Sequence, residues 1–129
     1  MPARARLCCI VVIAAACSRP APSAAAGRSL YLSNGCASCH GESGKGDGAA
    51  SARLAVKPSD LRYPNQFRNG ASEDAIARTL SQGILGPEAA GPHAQHTHHV
   101  LVMPKFDHLS DLERRSIALY ITSLRIRGD

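Results

Sequence analysis

The stretch NGCASCHGESGKGDG, Asn34 to Gly48, sets Cys36 and Cys39 three positions apart, with His40 directly after the second thiol. Four glycines follow in the eight residues from Gly41 to Gly48. A Cys-x-x-Cys pair serves three chemistries: a redox disulfide, half of a zinc site, or covalent attachment of haem. The rest of the chain has to discriminate among them.

Zinc needs about four ligands, and Cys36, Cys39 and His40 supply at most three. The remaining cysteines, Cys8, Cys9 and Cys17, all lie in the first 17 residues, so no second pair exists in the body of the chain. Only the histidine cluster His93, His96, His98 and His99 offers a way to complete a metal site. A thioredoxin-like motif belongs at a strand-to-helix junction of an α/β domain, and no alternating strand pattern is present. Haem attachment accounts for the remaining features. Two thioether bonds need two thiols at short spacing, the next residue is placed to bind iron, and a glycine-rich segment can turn around a flat group.

Composition agrees with a small domain that needs a filler. The chain has 129 residues, 44% of them hydrophobic, but only 4% aromatic and no Trp. A core this poor in large rings is marginal unless a buried group completes it. The formal charge of +5 overstates the basic character, because Arg4, Arg6 and Arg19 precede the domain. From Arg28 onward 12 Lys and Arg face 10 Asp and Glu, scattered along the chain. Nucleic-acid binding, which uses a concentrated basic patch, is not indicated.

The opening MPARARLCCIVVIAAACSRP reads as an export signal over residues 1–16: basic, then apolar from Leu7 to Ala16, then small. Ten apolar residues are too few to span a bilayer as a helix. IAAAC resembles a bacterial lipobox with Cys17 as the lipidated residue, although Ala14 stands where that pattern prefers Leu. Cleavage near Ala24–Ala26 is the alternative, and it would release the protein from the membrane. Residues 17–26, rich in Pro, Ala and Ser, read as a linker. The domain is expected over 27–129.

Three helices are expected there. The first runs through GRSLYLSNG into the cysteine motif. The second, SEDAIARTLSQG, has Ser72 as its cap and Gly83 as its stop. The third covers Ser110–Arg125, with Ser110 and Glu113 as a capping box and Ile117, Tyr120, Ile121 and Leu124 on one apolar face. The fold class is therefore all-α, with long loops that need something to pack against.

In that order CASCHG, GKGDG, KPSDL, MPKF and LSDLERRSIALYITSL resemble the class I c-type cytochrome domain of bacteria, over nearly all of Gly27–Arg125. The resemblance implies one haem c held by Cys36 and Cys39, with iron ligated by His40 and by Met103, the only methionine besides Met1. It implies that the Pro58 carbonyl accepts the second N–H of His40. Gly27 and Tyr31 are expected to pack on Tyr120. Arg62 and Tyr63, with Arg53 and Arg68, are candidates for the haem propionates. The implied function is electron transfer between redox partner proteins in the periplasm, as a free carrier or as a subunit of a dehydrogenase or oxidase complex. A haem sensor or catalytic domain with a switchable sixth ligand is the alternative. The His93–His99 cluster, just before Met103, reads as a solvated loop, a second metal site, a ligand switch or a pH-dependent docking element.

Overall fold

A computed structural model describes residues 20–86 and 101–125. The export signal, Cys17 and the His93–His99 cluster lie outside the described residues. Helix α1 covers Ala24–Ser33, α2 Cys36–His40, α3 Glu73–Gln82 and α4 Asp111–Ser123. Short 3-10 turns cover Ser51–Arg53 and Pro64–Gln66. The mainly helical architecture is the expected one.

Helix α1 begins three residues before Gly27, inside the run read as linker. Two local effects account for this. The Ser23 side chain accepts the Ala26 N–H as an N-cap, and the three alanines that follow are the best helix formers. The Ser23 N–H also donates to Ser116 Oγ of α4 at 3.2 Å, which ties the helix start to the domain.

Helices α3 and α4 begin as their sequences predict. Ser72 accepts the Ala75 N–H, and α3 stops at Gly83. Ser110 and Glu113 form a complete capping box. Helix α4 is the hub, packing against both α1 and α3. A side chain at Gly27 would collide with the Ser116 carbonyl and the Tyr120 Cβ, so only glycine lets α1 approach α4 this closely. Tyr31, Leu80 and Ile117 are the largest fully buried side chains of the core. Arg115 bridges α3 and α4 through Asp74 at 2.7 Å and also pairs with Asp111 at 2.8 Å. These groups are exposed, so the bridges contribute little stability.

A small antiparallel ladder was not legible in the sequence. Strand β1, Ile84–Leu85, pairs with β2, Leu101–Met103, with Ile84 opposite Met103 and Leu85 opposite Leu101. Strands of two and three residues are too short to show an alternating pattern. The pairing holds Met103 beside the end of α3.

Candidate functional site

Two adjoining clefts share Cys36, His40, Ser59, Arg68, Ile84 and Met103 as lining residues. The first is walled by the core itself, including Tyr31, Leu61, Ile76, Leu80, Ile117 and Ile121. The second opens past Cys39, Leu54, Val56, Val102 and Phe106. The structure therefore gathers both thiols, the imidazole and the thioether around one continuous apolar space. In sequence Met103 is 63 residues from His40.

Local geometry presents each of these groups. Helix α2 is a short turn that carries Cys36, Cys39 and His40. The chain then folds back on it: the Gly46 N–H donates to the His40 carbonyl at 2.8 Å and the Gly48 N–H to the Cys39 carbonyl at 3.1 Å. Gly46 has φ +78°, and a Cβ there would lie 2.6 Å from the Pro58 carbonyl oxygen. The glycine-rich run thus follows a path that side chains would obstruct.

His40 Nδ1 faces a carbonyl at 3.0 Å, and that carbonyl belongs to Ser59, not Pro58. This corrects the assignment taken from the resemblance. The Pro58 carbonyl is turned toward Gly46 instead. Because a carbonyl only accepts, Nδ1 carries the proton and Nε2 keeps its lone pair. Burial lowers the pKa of the imidazole below its usual value, and the Ser59 bond only partly opposes the shift. The ring is therefore neutral near pH 7, the state that binds a metal. Cys36 and Cys39 form no disulfide with each other. Burial pushes the Cys36 thiol up to about 11.

Of the candidate cations and phenol, Arg68 lines both clefts. Arg62 and Tyr63 line neither. Arg62 instead pairs with Asp60 at 2.6 Å and lies over the Tyr63 ring at 5.6 Å. Asp60 is only two residues away, so a local ion pair captures Arg62 before it can turn toward the cleft. Arg53 also lies off the cleft, on the 3-10 turn that follows the glycine-rich run.

Sequence reasoning missed the second role of two tyrosines. Tyr31 Oη donates to the Gly41 carbonyl at 2.7 Å, and Tyr120 Oη donates to the Glu42 carbonyl at 3.1 Å. Both were expected only as helix packing. The signal was the pairing of two phenols in an otherwise aromatic-poor core, since a buried tyrosine hydroxyl requires an acceptor.

The space, the donor set and the thiols fit a haem: an apolar cleft, one neutral imidazole, one thioether and two cysteines on its wall. Among curated proteins nothing matches the chain. Among solved structures it is similar to a chain of the Kuenenia stuttgartiensis reducing HAO-like protein complex Kustc0457/Kustc0458. The TM-score is 0.63 and the identity 26%, over 80% of this chain and 44% of that one, so this chain spans less than half of its neighbour's length. The family model for cytochrome c matches residues 24–125, from the start of α1 to beyond the end of α4. The chain belongs to the cytochrome c family, whose domain binds covalently attached haem c.

Proposed function

We propose that this protein is an exported one-haem electron carrier in which Cys36 and Cys39 hold the haem and His40 and Met103 are the two axial ligands. The observation that carries the reading is the shared cleft, into which the fold brings His40 and Met103 together. Bound haem supplies a one-electron ferric–ferrous couple, and a thioether ligand favours the reduced state. The chain's own residues do the rest. The Ser59 carbonyl orients His40 and increases its basicity through the Nδ1 proton. Leu61, Ile76, Leu80, Ile117 and Ile121 exclude water from one side. Arg68 is the cation best placed for a propionate. With His40 and Met103 as its ligands, the iron would have no position left for a substrate, and the protein would act as a carrier and not as an enzyme.

The signal-like N-terminus supports delivery to the periplasm, where lipid on Cys17 would tether the domain. Six positions separate Cys17 from Ser23, the cap of α1, a reach of about 20 Å when extended. Such a tether raises the effective concentration at partners close to the membrane. Among the described residues no helix is long and apolar enough to cross a membrane. A subunit role in a larger redox assembly is the second reading, favoured by the similarity to a chain of a multi-protein complex.

Optical spectroscopy tests the ligation. Protein made in a host that attaches haem is expected to show the weak red sulfur–iron charge-transfer band when oxidised, and to ignore carbon monoxide when reduced. Met103→Ala is expected to lose the band and to bind carbon monoxide. Ready carbon monoxide binding by the native protein would overturn the carrier reading in favour of a sensor or catalytic domain.

A further inference from the structure

Beyond the end of α4, Arg125 lies one turn past Ile121, and both Ile117 and Ile121 line the first cleft. Its Nη2 donates to the carbonyl of Ala71, 54 residues earlier in the chain. Ala71 directly follows Arg68, Asn69 and Gly70, three consecutive residues of the cleft wall. Among the described residues the other ties on this segment are few. Arg68 Nη1 donates to the Leu85 carbonyl at 2.8 Å, while Asn69 Nδ2 reaches Thr79 Oγ1 only at 3.4 Å and the Gly70 N–H reaches the Phe67 carbonyl only at 3.4 Å.

The second observation is at the other arm of the same guanidinium. Arg125 Nε is buried and has no hydrogen-bond partner among the described residues. A buried donor left unpaired opposes folding. The side chain nevertheless threads its guanidinium between the end of α4 and the segment before α3. What it gains there is the Ala71 bond, together with a cation's favourable position at a helix C-terminus.

We infer that Arg125 is a positioning residue that fastens the Arg68–Ala71 segment to α4 and so keeps water from this edge of the haem cleft. The inference rests on the haem reading above. Water at the edge stabilises the more highly charged oxidised iron, so a closed edge favours the reduced state. Arg125 acts through the wall it holds and is not itself a lining residue of the cleft.

The test uses the haem-loaded protein with Arg125→Met, which removes charge and fork, and Arg125→Lys, which keeps the charge. Three quantities are read: reduction potential, hydrogen exchange of amides 68–71 and thermal midpoint. Both variants are expected to lower the reduced-to-oxidised ratio at fixed solution potential about threefold, about 28 mV for a one-electron couple. Faster exchange confined to residues 68–71 is expected alongside, with the sulfur–iron band retained. Variants that melt earlier with potential and exchange unchanged would show a purely structural residue and overturn the inference. So would an Arg125→Lys protein identical to wild type beside a shifted Arg125→Met protein, which would assign the effect to charge alone. Wild-type protein that takes up no haem would instead sink the haem reading, and this inference with it.

Discussion

Tyr31 of α1 and Tyr120 of α4 meet edge to face, ring centroids 5.2 Å apart and planes at 64°, and their hydroxyls donate to the successive carbonyls of Gly41 and Glu42. One aromatic contact thereby joins the two terminal helices and pins the chain directly beyond His40. Burial holds the Tyr31 hydroxyl well above the ordinary phenol range, so it remains a donor at any working pH.

Removing the two hydroxyls separately should have unequal effects. Tyr31→Phe leaves a buried carbonyl without its donor and is expected to cost about 1–3 kcal/mol. Tyr120→Phe acts on a partly buried bond and is expected to cost about 0.5–1.5 kcal/mol. The double variant should depart from the sum, because the rings touch. Denaturant unfolding of the haem-loaded protein measures all three, and equal costs with strict additivity would contradict the arrangement.

Gly27→Ala drives a methyl group into the Ser116 carbonyl and the Tyr120 Cβ. Separating α1 from α4 is expected to cost about 1–3 kcal/mol. Thermal melting with the haem attached reports it. A neutral effect would mean that the two helices do not pack this closely.

The histidine tie predicts a contrast between neighbours. Pro58→Ala leaves the Ser59 carbonyl on His40 and is expected to leave the reduction potential nearly unchanged. Gly46→Ala places a Cβ against the Pro58 carbonyl at φ +78° and is expected to destabilise the protein by about 1–3 kcal/mol. Voltammetry and unfolding on the same two variants test this. A large shift in potential from Pro58→Ala would contradict this prediction and show that the Ser59 carbonyl needs the proline ring to hold its place.

Arg62→Gln and Tyr63→Phe should leave the potential and the haem spectrum as in wild type, since both residues lie off the cleft. Arg68→Gln should shift the potential. A shift for Arg62→Gln as large as for Arg68→Gln would contradict the placement.

The capping box gives α4 an acid sensitivity of known sign. Hydrogen bonds from the Ser110 N–H and hydroxyl hold the Glu113 carboxyl below its ordinary pKa of 4.5. A depressed folded pKa stabilises above the unfolded value, and the gain fades as pH falls through the folded one. Glu113→Gln should therefore melt earlier than wild type at neutral pH, with the gap narrowing below pH 4.5. Ser110→Ala removes the cap at every pH, at about 1 kcal/mol. Melting curves between neutral and acid pH distinguish the two.

What could be read from the chain alone was local. The Ser72 cap and the Ser110–Glu113 box are interactions over three residues, and the apolar face of α4 repeats within two turns, so neighbours in sequence are enough to specify them. The spacing of Cys36, Cys39 and His40 likewise lies within one helical turn. The early start of α1 was within reach too, since Ser23 precedes three alanines, but proline and alanine content suggested a linker. Tertiary structure decided whatever depends on distant chain segments arriving together. Whether Pro58 or Ser59 presents its carbonyl to His40 turns on how a loop lies 19 residues away. Arg68 reaches the cleft while Arg62 is captured by Asp60, two cations that composition cannot tell apart. The pairing of Ile84 with Met103 and the hold of Arg125 on Ala71 have no periodicity to betray them. Apart from the local Asp60–Arg62 pair, each is a single contact across the fold, set by the packing of side chains and not by the residues beside it.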